Sequence, residues 1–497
     1  LLHYTGDEVI EEKCIETMSL LVAHSEATHE CFTRRDVISI IVDNMRVYYE
    51  SESLNTACCK TLAFLSKYAE VVDYLAIMNI AKLVMYSIQH YKDGENVMYC
   101  AQIVMNTGVS EQCVHQWVQN EAVQTLLRLC EEYIKKEETL LALTAALYVL
   151  AKSEVSHAAF GAGDCVRAFT AVLTAWMSKN NDAILCNVLL TVFYCYQIAP
   201  VLEALKTSTL LDLIIRVVVA NLSKALAKAY AMLICRLAED ASLRPVLVEH
   251  KTLEPLLDCV RKFPKGKTVN SDGFRALELL SSETEVKEFL LERNVLFECM
   301  EAIKNHIGAV EVLLPAIAVI AIIEKFAVED DQMSMVKQQD ICEYVIKAIV
   351  ENGYEDRLMR GGLTALEYFI PFNEDGSLFY NNDAVAVVID SMGRLFEEEA
   401  TQITTLRVLK HTLLVPEASD IFNQNDGIKL ATQIAASFYA SEALQKEMME
   451  VFVLLADSEE LQSVLFENQA LNYIVHNLTN FSDKPEVLLP AETAIAK

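Results

Sequence analysis

The sequence predicts an all-α superhelical solenoid. Three observations predict it: a polar step followed by an apolar helical pattern that returns every 43 to 45 residues, a 3.6-residue spacing of apolar positions inside each return, and a 53% hydrophobic content carried with only 9 Pro and 14 Gly in 497 residues. So little Pro and Gly leaves almost no linker composition, which implies one continuous buried core.

The repeat is set by the first apolar residue of each pattern: Val37, Ile80, Val123, Val166, Leu210, Leu253, Leu296, Ile341, Val385, Ile428 and Leu471. Ten successive steps of 43, 43, 43, 44, 43, 43, 45, 44, 43 and 43 residues make the whole chain one array. Three residues on stand Ile40, Leu83, Leu126, Phe169, Leu213, Leu256, Cys299, Tyr344, Val388, Ala431 and Ile474, and the seventh position is again mostly apolar, so one stripe of each helix is buried. Just before the anchors stand polar residues such as Asp36, Asn79, Asp164, Asp383 and Asp426. They are expected to cap the helix by accepting hydrogen bonds from first-turn amides.

Upstream of each anchor an amphipathic run of about 25 residues is interrupted by a polar break, giving two or three helices per unit. In order, the units span 13–53, 54–96, 97–138, 139–182, 183–225, 226–268, 269–310, 311–356, 357–400, 401–443 and 444–487. Residues 1–497 therefore read as a single array of about eleven 43-residue units, and 488–497 begin another helix. The chain opens on Leu1 and is expected to be truncated at one or both ends. A single unit cannot bury both sides of its helices, so stacking supplies the core.

This spacing, the three-helix grouping and patterns such as SVLFENQALNYIVHNL from Ser463 resemble armadillo or HEAT repeats. The resemblance implies a right-handed armadillo-like superhelical solenoid with a protein-binding surface. The Gly pair common before the third armadillo helix is mostly absent here. So is the recurrent Trp and Asn of the nuclear-import-receptor groove: only Trp117 and Trp176 occur, and Asn477 has no Asn at the matching offset elsewhere.

Acidic residues outnumber basic ones 70 to 41, a net charge of −29, with −9 in residues 1–250 and −20 in 251–497. That balance argues against a general nucleic-acid binder or an anionic membrane partner and favours a partner with a basic surface. The acids Glu329, Asp330 and Asp331, then Glu397, Glu398 and Glu399, are candidate partner-binding groups, although simple solubility of a very apolar solenoid accounts for them more readily. Tyr48, Tyr91, Phe396 and Phe438 recur ten to twelve residues after their anchors, either as inter-repeat packing or as an aromatic ladder for a partner. One basic loop, Arg261, Lys262, Lys265 and Lys267 in RKFPKGK, is placed to meet an acidic segment or a phosphate, or is an ordinary solvated loop.

The fourteen cysteines form no CxxC pair, so buried, reduced thiols and a cytoplasmic setting, with the nucleus as the alternative, are expected. Their scatter suggests neither metal nor cofactor. KGKT at Lys265 lacks the glycines of a phosphate loop, and His24 with His29, or Cys113 with His115, lack zinc spacing. No stretch is long enough for membrane insertion. The reading is a non-enzymatic interaction scaffold for a peptide, helix or folded protein. Its alternatives are the regulatory repeat region of a larger kinase- or GTPase-containing signalling protein, and a small-GTPase regulator or chaperone-like adaptor.

Overall fold

The computed structural model describes residues 7–24, 29–179, 181–207, 209–329, 340–381 and 383–497, and every regular element among them is a helix. Each of the eleven anchor residues falls within the first three residues of a helix, from Val37 in Arg35–Val47 to Leu471 in Ala470–Asn480. The helices group into two compact units, Leu1–Cys259 and Val260–Lys497.

In the first unit six long helices pack each against the next in chain order: Glu8–His24, Glu52–Leu65, Gly94–Thr107, Glu137–Ala151, Asp182–Cys195 and Lys224–Glu239. In the second the same order runs through Lys267–Leu280, Val310–Glu329, Asp356–Tyr368, Glu399–Thr412, Glu442–Leu455 and Pro485–Ala496. Between successive long helices lie, in most repeats, a short helix such as Glu459–Glu467 and then the anchor helix, which packs on the long helices and on the neighbouring anchor helices. A long helix is therefore covered by a long helix on each side and by anchor helices behind. This is why DAILCNVLLTVFYC of Asp182–Cys195 is apolar nearly all round, with Leu185, Val188, Leu189 and Val192 all buried.

The polar residue before the anchor does not cap with its side chain. Asn79, Glu121, Asp383, Asp426 and Gln469 occupy the N-cap with φ between 53° and 65° and make no side-chain capping bond. Lys251 and Asn294 share the left-handed conformation at the equivalent step. The recurring requirement is a residue that tolerates positive φ where the chain reverses between two helices, for which Asn and Asp are the best non-glycine choices.

Two further devices repeat at this spacing. A buried amide in the first turn of a long helix reaches back to the C-terminal carbonyls of the preceding anchor helix: Asn55 to Tyr48 O (2.8 Å), Asn270 to Phe263 O (3.0 Å), Gln402 to Leu395 O (2.8 Å) and Gln445 to Phe438 O (3.1 Å). It satisfies acceptors that the helix end leaves open. The second device joins one repeat to the next. Tyr91 donates its hydroxyl to Tyr49 O, Tyr133 to Lys92 O (2.6 Å), the Trp176 indole to Ile134 O (2.9 Å), and the amides of Asn221 and Asn352 to Met177 O (2.5 Å) and Ile307 O (2.7 Å). His306 Nε2 sits 3.1 Å from Pro264 O in the same relation.

Gln445 serves both sides of its helix, because its Oε1 also accepts from the buried Asn477 amide at 2.7 Å. Gln445→Leu leaves the Asn477 donor and the Ala435 and Phe438 carbonyls without this partner, and is expected to destabilise the second unit by about 1–3 kcal/mol. Urea unfolding of the variant beside Gln445→Glu and the parent chain checks this; an unchanged midpoint for the leucine variant refutes the strap.

Candidate functional site

The side of the long helices that faces away from the anchor helices carries open clefts in both units. In the first unit, a cleft of about 730 Å³ is lined by Glu16, Glu52, Lys60, Asp93 and Glu95, and another of about 780 Å³ by Glu95, Tyr99, Lys136, Glu137 and Glu138. Many of these acids stand in the first turns of long helices, where the helix dipole favours negative charge. Of the rings on these helices Tyr99 is buried and borders the second cleft, with its centroid 6.3 Å from that of the half-buried Phe64; further along, the half-buried Tyr148 and Tyr194 lie 6.2 Å apart, and Lys152 sits 4.3 Å over Tyr148.

The second unit carries an ion-pair chain on the same kind of surface. Arg407 bridges Glu367 (2.5 Å) and Glu447 (2.9 Å), and Lys410 joins Glu447 (2.5 Å) to Glu450. Burial pushes the Glu447 carboxyl up, but the hydrogen bonds from Lys410 and Arg407 outweigh it and hold it below the ordinary carboxylate range. Next to this chain a cleft of about 480 Å³ is lined by Lys410, His411, Leu414, Glu450, Val453, Leu454, Leu489, Pro490 and Thr493.

Of the acids singled out in the sequence, Glu397, Glu398 and Glu399 come together at the start of Glu399–Thr412. Glu397 and Glu399 are exposed, whereas Glu398 is gripped by Arg360 through two hydrogen bonds, at 2.8 and 2.5 Å, which lower its pKa. Glu329 closes its helix, and Asp330 and Asp331 lie outside the described residues. Tyr48 and Phe438 are half-buried C-caps, Phe396 is half-buried beside one, and Tyr91 is the hydroxyl donor to Tyr49 O. In the basic loop Arg261 bonds Glu298 (2.6 Å) and Arg293 O (3.0 Å), Lys267 pairs with Glu311 (2.5 Å), Lys262 lies 5.8 Å over Phe263, and Lys265 is exposed. Trp117 and Trp176 are fully enclosed in the core.

The outward positions at and near the ends of the long helices escaped the sequence reading. Their offset is 40 residues, Leu414 to Leu454 and Val453 to Thr493, which differs from the 43-residue step of the anchors. Among the described residues no group of three or more His, Cys, Asp and Glu side chains is placed to hold a metal, and no single helix is long and apolar enough to cross a membrane.

No protein-family model matches the chain, and no curated protein does. Solved structures do. An armadillo-repeat protein, beta-catenin, from a structure concerned with a phosphorylation switch controlling its interaction with cadherin, superposes with a TM-score of 0.65 at 12% identity, covering 99% of this chain and 97% of that one. An engineered protein superposes with a TM-score of 0.52 at 14% identity, covering 92% and 98%. The chain thus has an all-α, helix-repeat, armadillo-like architecture with periodic contacts between successive helices.

Among the described acids, one is wholly enclosed in the core. Glu324 is fully buried, neither of its oxygens has a hydrogen-bond partner, and Cys299 and Cys342 are the titratable groups that sense it. Burial raises its pKa well above the ordinary value, so the folded chain holds it protonated at pH values where the unfolded chain has lost the proton. Its contribution to stability is complete below the unfolded pKa of about 4.3 and declines as pH rises above it. Glu324→Gln removes that decline: urea unfolding at pH 5 and pH 8 should show the variant gaining on the parent chain at the higher pH. A constant difference between the two overturns the assignment.

Proposed function

We propose that the chain is a non-enzymatic protein-interaction scaffold that takes a protein or peptide partner on the outward face of its long helices. The observation that carries this reading is the position of the open clefts: in both units they lie on that face, and charged side chains border them, with Tyr99 beside one in the first unit. The likeness to beta-catenin, whose structure concerns its interaction with cadherin, supports the same role. A basic partner surface fits the net charge of −29 and the exposed acids Glu397 and Glu399. Such a role suits the cytoplasm, with the nucleus as the alternative.

The test is a cross-linked pull-down from cell extract with the whole chain, beside a variant in which Glu397, Glu399, Asp457, Glu459, Glu460 and Glu492 are replaced by Gln or Asn. Recovery of a partner by the parent chain and its loss, growing as salt is lowered, from the variant is expected. Equal recovery by a variant of unchanged circular dichroism refutes the basic surface, and no enrichment by either refutes the scaffold.

A further inference from the structure

The cleft on the outward side of Glu399–Thr412, Glu442–Leu455 and Pro485–Ala496 differs from those of the first unit in having an apolar floor. Leu414, Val453, Leu454, Leu489 and Pro490 supply it, and Leu414 and Leu489 are 41% and 60% exposed. Its volume of about 480 Å³ is within the range of roughly 300–1,000 Å³ over which pockets bury a ligand.

The floor decides the conformation of what binds. Apart from Leu414, in the turn after Glu399–Thr412, it is made of helices whose backbone groups are bonded internally except where Pro490 removes one donor, and its one hydroxyl, that of Thr493, already donates to Leu489 O at 2.8 Å. An extended peptide laid here would lose water from its amides and carbonyls and find no row of donors and acceptors to replace it, at a cost for each group left unpaired. A helix satisfies its own backbone and needs only an apolar stripe.

The rim decides the charge. Three cross-helix ion pairs border the floor, and in each the carboxylate is about twice as exposed as its cation: Glu486 70% against Lys446 37%, Asp457 61% against Lys497 31%, and Glu450 35% against Lys410 18%. In these three pairs the lysine lies inward and the carboxylate meets an approaching molecule; in the neighbouring ion-pair chain the order reverses, with Arg407 41% exposed over Glu447 at 7%. Glu492, exposed on the last helix, adds to the same sign. His411 borders the floor half-buried, with an Nδ1 shielded from water and without a hydrogen-bond partner.

We propose that this cleft docks an amphipathic helix of a partner protein, with apolar residues at i, i+3 or i+4 and i+7 and with Lys or Arg on its flanks. The proposal rests on the scaffold reading and names the partner chemistry for one site of it.

The test uses the full chain and fluorescein-labelled helical peptides whose stripe is Leu, Ile, Met or Phe and whose flanks are Lys. Each is paired with a Glu-flanked peptide and with a shuffled one of the same composition. At least one Lys-flanked peptide is expected to bind saturably by anisotropy, roughly tenfold or more tighter than both of its partners. The double variant Leu414→Glu/Leu489→Glu, altered at exposed positions, should lose at least roughly tenfold in affinity with its melting temperature unchanged, while Val47→Glu in the other unit should bind as the parent does. Failure of the whole panel, equal binding of Glu-flanked or shuffled peptides, or binding that survives the double variant overturns the proposal. Running the double variant in the extract pull-down separates the two readings. A partner that both chains retain while the panel fails leaves the scaffold standing without this cleft. Panel binding without any extract partner refutes the scaffold alone.

Discussion

The structure depends on one constraint: several of its long helices, Glu137–Ala151, Asp182–Cys195 and Val310–Glu329 among them, are too apolar to have a solvent side of ordinary width. A helix such as Glu137–Ala151 buries Leu140, Leu143, Ala146, Leu147 and Leu150, and no single partner helix can cover that much of its circumference. Packing between two other long helices, with anchor helices behind, meets the need, and each added neighbour has the same need in turn. Stacking is therefore cumulative within each unit, and what remains of each long helix for solvent is one narrow strip. Any binding chemistry the long helices offer must be written on that strip.

Close stacking brings helix ends together, and helix ends carry unpaired backbone groups. The chain answers with side chains from the adjoining element. The amides of Asn55, Asn270, Gln402 and Gln445 serve the anchor helix that has just ended. Tyr133, Trp176, Asn221 and Asn352 reach the corresponding carbonyl one repeat earlier. Phenol, indole and carboxamide share little except a donor at the end of a flat group, so the position fixes a hydrogen bond and leaves the residue type free. That freedom explains why the aromatic recurrence in the sequence is imperfect.

The same logic separates what was legible in the sequence from what was not. The anchors were legible because an apolar stripe at 3.6-residue spacing has one physical meaning, and every anchor opens a helix. The polar residue before them was legible as a position but misread as a chemistry: Asn and Asp favour both an N-cap and a left-handed turn, and only the backbone, with φ of 56° at Asp383 and 59° at Asp426, distinguishes the two. Tyr91 fits inter-repeat packing, with a hydroxyl bond that composition cannot reveal. The outward strip was hidden because its residues are few per helix and advance by 40 residues between Leu414 and Leu454, out of step with the anchors.

Net charge read from the sequence also needs the structure before it describes a surface. The 21 cations of residues 251–497 are too few to neutralise 41 acids, yet they are not spread evenly among them. Arg360, Arg407, Lys410, Lys446 and Lys497 each hold a carboxylate on, or at the end of, a neighbouring long helix, so they act as inter-helix ties before they act as surface charge. Lys446 and Lys497 lie along the helix surface with their acidic partners Glu486 and Asp457 toward water, whereas Arg407 and Lys410 cover the buried Glu447. Internal pairing therefore lowers the count of free acids without changing the sign that a visitor meets. The cations tie the stack, and Glu450, Asp457 and Glu486 face outward beside the strip that the stacking leaves uncovered, while Glu447 is held beneath its cations.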